Sequence, residues 1–326
     1  MRRDTFPSPD RRPGGVDRSS PIRRSGSSIA FLPMLLVASL FSLGCRVGED
    51  DVTGDWTRGM PEAAGTREQW RVISTAQTER LQALSVFSSA GTITLRWTDD
   101  DGSHVEQADH RIWRSSVDRA AIRVSKVGSS LLLAGWNADR WWIFDETGDE
   151  SVLRIRRLDA AEGSGGPDEL LSPPVLLAML GLLPWPADPP PDFQTTGSRS
   201  RFTVDPIRWG GGEEVPVLPG RLVVELEDPG DGPTRLQLLD SDGRILATAT
   251  HEDFTPVETM GRPPGAWPDL PRRVRIVRST EDRVVISFDG PLAQGRVSER
   301  LFDVEALIER SRPDVIERAP VMEGAE

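Results

Sequence analysis

The chain reads as mainly β with a few helices, an α+β protein built on antiparallel strands. Three observations lead there. Apolar residues alternate with period two through many short windows, the signature of a strand with one buried face. The separators between these windows are turn formers such as "GSS", "NAD" and "ETGDE", too short for the crossovers that parallel strands need. One stretch, Pro173–Leu183, is instead apolar on nearly every side, as a helix buried all round would be.

The N-terminus has its own logic. Residues 1–28 are rich in Arg, Pro, Ser and Gly without a periodic apolar face, which predicts a disordered basic region. Residues 29–44 form an apolar run of 16, short of the ~20 needed to span a bilayer. A basic region, a short apolar core and small residues make the pattern of a secretory signal. The pair Arg23-Arg24 is a faint twin-arginine hint, so the Sec and twin-arginine routes both stay open. The run ends in "SLGC", which resembles a bacterial lipobox with Ser42 where leucine is usual. Cys45, the only cysteine, would then be acylated and begin the mature chain; the alternative is a cut elsewhere and an ordinary thiol. A lone thiol is a liability in an oxidising compartment, which favours Cys45 as the lipid-attachment residue. Residues 45–65 are acidic and broken by Gly and Pro, and they read as a flexible tether to the membrane.

A helix is expected to start at Thr66, where Thr66 and Gln69 fit a capping box and Trp70, Ile73, Leu81 and Leu84 recur at near-helical spacing. It should end before Ser88. "GTITLRW" then alternates, with Ile93, Leu95 and Trp97 on one face. Five more strands are expected at 104–114, 121–127, 131–136, 140–145 and 152–157, an antiparallel meander. The apolar helix follows, with Ser172 as candidate N-cap and two prolines in its first turn. A second strand series is read at 201–204, 221–227, 235–239, 245–250, 273–278 and 284–288. Asp303–Arg310 would be a closing helix, and 311–326 a frayed tail. Residues 66–310 are expected to form a single domain, since no internal repeat divides them.

Composition excludes several functions. The chain has 326 residues, 37% of them hydrophobic and 28% charged, with net charge −12. Seven arginines against three aspartates make residues 1–44 basic, so everything after Gly44 carries −16. A body that acidic repels phosphate backbones, which argues against nucleic acid as a partner. Lys126 is the only lysine, a codon signature of a GC-rich and so bacterial genome.

Catalytic patterns are thin. His104 and His110 would lie ~20 Å apart on one strand, and no HExxH or CxxC spacing exists, so no metal or other cofactor is expected. No G-x-S-x-G elbow occurs, and "WGGGEEV" (Trp209–Val215) and the acidic turn Asp99–Asp101 read as loops. No enzyme is expected. Ten tryptophans stand out, and "RWWIF" makes both faces of its strand apolar. They fit either a thick core or a concave sheet lining an apolar cavity.

"LQALSVFSSAGTITLRW", "RIWRSSVDRAAIRVSKVGSSLLLAGWNADRWWIFD" and "LLSPPVLLAMLGLLP" together resemble the LolA/LolB-like family of envelope lipoproteins and lipoprotein carriers, over roughly residues 65–185. The resemblance implies an antiparallel incomplete β-barrel, a half-barrel covered by helices, whose hydrophobic cavity receives acyl chains or lipoproteins. The cavity-lining candidates are Ile93, Leu95, Trp97, Leu131, Leu133, Trp141, Ile143, Leu176, Leu177, Met179, Leu180 and Leu183. With a lipid on Cys45, the expectation is a monomeric, periplasm-facing lipoprotein of the bacterial envelope. Arg46, where an acidic residue would mark inner-membrane retention in some sorting systems, points to the outer membrane. The competing expectation is a non-catalytic structural or interaction lipoprotein with a filled core.

Overall fold

The structure, a computed structural model, describes residues 63–318 apart from 100–101, 117, 158–172, 187, 191, 205–219, 229, 280–281 and 294–296. Cys45, the apolar run before it, the tether up to residue 62, Ser172 and the glycine turn at 209–215 lie outside the described residues.

Helix α1, Arg67–Ala83, opens where the sequence predicts. The Gln69 N–H donates to Thr66 Oγ1 and the Thr66 N–H to Gln69 Oε1, at 3.2 and 2.8 Å, satisfying two otherwise orphaned donors. Its apolar face buries Trp70, Ile73 and Leu81, with Trp70 edge-on to Phe193 and Phe202.

The first strand series is β1 Phe87–Asp99, β2 Gly102–Ser116, β3 Arg119–Lys126, β4 Ser129–Trp136, β5 Arg140–Asp145 and β6 Val152–Arg157. Each pairs antiparallel with the next, the expected meander. Helix α2 is Pro173–Met179. The second series comprises β7 Gln194–Thr196, β8 Arg199–Val204, β9 Arg221–Leu226, β10 Arg235–Leu239, β11 Ile245–Pro256, the two-residue β12 Glu258–Thr259, β13 Asp269–Arg278 and β14 Arg283–Ala293. Helix α3, Val304–Ser311, and β15, Val315–Arg318, complete the described chain.

All the described strands belong to one sheet, ordered β15-β6-β5-β4-β3-β2-β1-β14-β13-β11-β10-β9-β8-β7, with β12 beside β14. The seam between the two series is the antiparallel pair β1–β14, from Ser88↔Leu292 to Arg96↔Arg283. The sheet is mixed, because β15 runs parallel to β6 and β12 parallel to β14. Among the described strands it is also open: β15 and β7 end the order. Ala64 bridges to Gln194 on the β7 edge, and Gly65 and Thr195 exchange backbone hydrogen bonds with Phe193 and Ala63 there.

The sheet curls around α2. That helix contacts β3, β4 and β10, and β4 and β10 are seven places apart in the order. Laid flat at ~4.8 Å per strand, they would be ~34 Å apart, far more than a ~10 Å helix can bridge. A single apolar cluster fills the inner side, joining α1, α2, Ile122, Trp136 and Ile143 to Phe202, Val224, Leu236 and Ala249. A second cluster lies on the other face of β3–β6, where Trp142, Phe144 and Leu153 meet Phe302, Val304 and Leu307 of the α3 region. Among the described residues no helix is long and apolar enough to cross a membrane.

Helix α3 matches the expected closing helix. Asp303 caps it by accepting from the Glu305 and Ala306 N–H groups at 3.0 and 3.2 Å. Asp303→Ala is expected to cost about 1 kcal/mol in urea unfolding; an unchanged midpoint would show that the cap adds nothing. The tail differs from expectation. Val315–Arg318 is a strand, because Arg312 turns the chain with φ 48° and Asp314 Oδ2 accepts from both the N–H and the hydroxyl of Ser151. Glu317 then pairs with Arg154 at 3.2 Å. Four residues of strand flanked by polar groups leave little periodic signal.

Candidate functional site

The site is built around α2. Its two leading prolines need no intrahelical donor and carry a helical φ in advance. Gly181 ends it with φ 67°, a left-handed conformation that an unbranched backbone without Cβ adopts freely. The Gly181 N–H donates to Ala178 O and the Leu182 N–H to Leu177 O, both at 2.9 Å, which is a Schellman ending. Every residue from Pro173 to Leu183 is buried.

A buried helix end leaves carbonyls that must find donors. Here they come from other elements. Arg80 Nη1 donates to Gly181 O at 2.8 Å, and Gln77 Nε2 donates to Leu183 O at 2.8 Å and to Gly181 O at 3.3 Å. From β11, His251 Nε2 lies 2.8 Å from Met179 O, so it carries the proton. Arg80 also donates through Nε to Asp269 O and through Nη1 to Gln77 Oε1. All three side chains are buried. Among the described residues, polar side-chain contact with α2 is thus gathered at its C-terminal end.

A second guanidinium lies inside. Arg114 follows His110 and Ile112 on the inner face of β2, is fully buried, and donates through Nη1 to Leu84 O, the carbonyl at the end of α1, at 3.0 Å. Cations suit helix C-termini, where the aligned carbonyl dipoles concentrate negative charge. Burial lowers Arg114 to about 10. Arg80 is likewise lowered to about 10, first by burial and then by the charge of Arg114, while Asp269 and Asp231 oppose this. Both guanidiniums are charged at neutral pH. Burial also lowers His251 to about 4, the Met179 carbonyl opposing and Arg80 adding to the effect. His110 is lowered mainly by burial, its Nε2 lying 3.0 Å from Ser287 O.

The structure gathers most of the cavity-lining candidates and separates two. Ile93, Ile143, Leu176, Leu177, Met179, Leu180 and Leu183 are buried in the inner cluster, and Leu95, Leu131 and Trp141 are half-buried against it. Leu133 instead belongs to the outer cluster. The pairing skips from Val124↔Leu132 to Ser125↔Ser130, so Leu131 is an extra residue, and this bulge puts Leu131 and Leu133 on opposite faces. Trp97 belongs to neither cluster and stacks on His104, ring centroids 5.0 Å apart.

Arg80, Gln77, His251 and Arg114 were not singled out by sequence reasoning, though a signal existed. Gln77 and Arg80 interrupt the apolar stripe Trp70–Ile73–Leu81 on α1, and a polar residue in a buried stripe must have a partner. Chemically, the site is an apolar interior with hydrogen-bond donors at one end. Among the described residues no three His, Cys, Asp or Glu side chains could hold a metal ion.

No family model matches the chain and no curated protein matches it. Solved structures do. A LolA superfamily protein from Nitrosomonas europaea aligns with 71% of this chain and 97% of its own at 9% identity and TM-score 0.43. A protein domain from Vibrio parahaemolyticus described as outer membrane lipoprotein-sorting covers 74% and 99%, at 11% identity and TM-score 0.45. A DUF1329 family protein from Desulfovibrio piger covers 72% and 97%, at 12% and 0.48. At these identities and TM-scores the likenesses carry no family, ligand or activity across to this chain.

Proposed function

We propose that the chain is a non-catalytic, lipid-anchored protein of the bacterial envelope that accepts an acyl chain, free or on a lipoprotein, into the space α2 occupies. The observation that carries this reading is α2 itself. It is a helix of seven residues, apolar throughout, lying on the concave side of a curled open sheet. Isolated helices that short are not stable in water, so α2 depends on its surroundings. Among the described residues its polar tethering gathers at one end. A helix so held can be exchanged for another apolar occupant of similar cross-section. In this reading the sheet is the incomplete barrel of a LolA/LolB-like protein, with α1 and α2 as its covering helices. The anchor is an acylated Cys45, the tether is 45–65, and a monomeric body faces the periplasm, with Arg46 favouring the outer membrane.

The complete burial of α2 also favours a second reading, a filled core with partners on the outer faces. Uptake separates the two. A chain starting after Cys45 is expected to bind an apolar fluorescent probe with micromolar affinity and to release it to excess lysophospholipid. Absence of binding, with tryptophan emission unresponsive to lipid, would leave the filled core. The anchor is read by intact mass of membrane-extracted protein, which is expected to start at Cys45 with added acyl mass that Cys45→Ala lacks.

A further inference from the structure

We propose that Arg80 and Arg114 form the head-group end of the interior and select an acyl ligand that ends in a carboxylate. The inference rests on the acyl-binding reading above and names its ligand class. Two guanidiniums buried to 5% and 0% exposure share one region, each charged and with no carboxylate in ion-pair contact among the described residues. A buried charge is retained at a cost unless it is compensated. Helix capping accounts for only part of their hydrogen-bonding capacity. Arg80 uses Nε and Nη1, and Arg114 uses Nη1. Arg80 Nη2 and Arg114 Nε and Nη2 are buried without a partner.

What would satisfy those atoms is an anion with two acceptor oxygens, since a guanidinium fork matches a carboxylate two bonds at a time. Asp269 and Asp231 lie in the field of Arg80 and temper its charge. Asp231 is itself held above the usual carboxylate range, mainly by burial and then by Asp228 and Asp269. Neither side chain hydrogen-bonds the guanidinium, so the excess of donors remains. The position suits a head group, because Arg114 ends the inward series Ala108–His110–Ile112 and Arg80 meets the C-terminal end of α2. An ester or alcohol head would accept hydrogen bonds but leave both charges uncompensated. A carboxylate would compensate one of them and lower the repulsion between them.

The test uses the full chain in phospholipid nanodiscs, with empty nanodiscs as blank, and carboxyl-13C palmitate as probe. A protein-dependent carboxyl resonance is expected that stays ionised at pH values where palmitate in the blank is protonated. Palmitate should displace the apolar fluorescent probe at least about tenfold better than methyl palmitate, the discrimination a charge-assisted pair gives. Gly232→Ala keeps both charges but brings a Cβ to 2.9 Å from Arg80 Nη2, so it is expected to weaken palmitate several-fold and leave methyl palmitate unchanged. Equal displacement by palmitate and methyl palmitate would overturn carboxylate selection while leaving acyl binding in place. The same resonance with acetate at equal affinity would overturn the acyl part of the ligand. Binding of neither palmitate nor its ester would overturn this inference together with the proposed function.

Discussion

Gly181→Ala is expected to lower stability by about 3 kcal/mol, read as a shift in the urea midpoint. Two costs combine. A non-glycine residue in the left-handed region pays roughly 1–2 kcal/mol. The new Cβ would also stand 2.5 Å from Pro233 Cγ and 3.3 Å from His251 Cε1, an overpacking that typically costs about 1–3 kcal/mol. Gly197 separates the two. It has φ 63° but nothing within 4 Å of a built Cβ, so Gly197→Ala carries the conformational cost alone, about 1 kcal/mol. The damage at Gly181 should also be local. Hydrogen exchange is expected to show α2 amides losing protection before those of β1 and β14, because the Schellman ending and the carbonyls offered to Arg80, Gln77 and His251 depend on that backbone. Equal midpoints for the two variants would remove the contact with Pro233 as a cause.

Acid should loosen the same region. His251 is neutral when buried and is lowered to about 4 from an ordinary 6.5. Between those values the unfolded chain binds a proton that the folded chain refuses, so stability falls as pH drops from about 6.5, and the loss levels off near 4. A shift of that size corresponds to at most about 3 kcal/mol. His110, lowered in the same direction, adds with the same sign. The raised carboxylates Glu225 and Asp231 act oppositely, which is why the wild-type curve alone does not isolate the imidazole. His251→Gln keeps an amide donor for Met179 O and removes the titration. Its stability is expected to be flatter than wild type between pH 6.5 and 4. Parallel curves for the two proteins would exclude His251 as the acid-sensitive group.

Much of this was legible in the sequence because it is local. The capping box at Thr66, the alternation in Ile93–Trp97, the short turns of the first meander and the prolines opening α2 each act within a few residues. What was missed depends on distant partners or on a break in period. The bulge at Leu131 shifts every later inward position of β4 by one, and alternation alone cannot report it. β15 is four residues whose pairing is decided by Ser151 and Arg154, more than 150 positions away. The buried arginines are the clearest case. Arg80 and Arg114 look like ordinary surface residues of an arginine-rich chain until the ends of α1 and α2 are brought to them. Period puts Trp97 on one face with Ile93 and Leu95, but it lies near the tip of the β1–β2 hairpin, where its neighbour is His104.

The pairing of β1 with β14 decides the order in which this chain can be completed. The chain emerges N-terminus first, so β1 through β6 can zip together hairpin by hairpin, each step closing a short loop. The free edge of β1 must then wait for residues 283–293, nearly 200 positions later, before its other side is paired. Until that moment one long strand edge and the inner faces of Ile93 and Ile112 stand open, an adhesive intermediate of the kind that draws in neighbouring chains. Folding should therefore be slow in its last step and faithful in its first. A chain stalled before Arg283 would be a finished meander with an unguarded flank, the species that chaperones and proteases would meet.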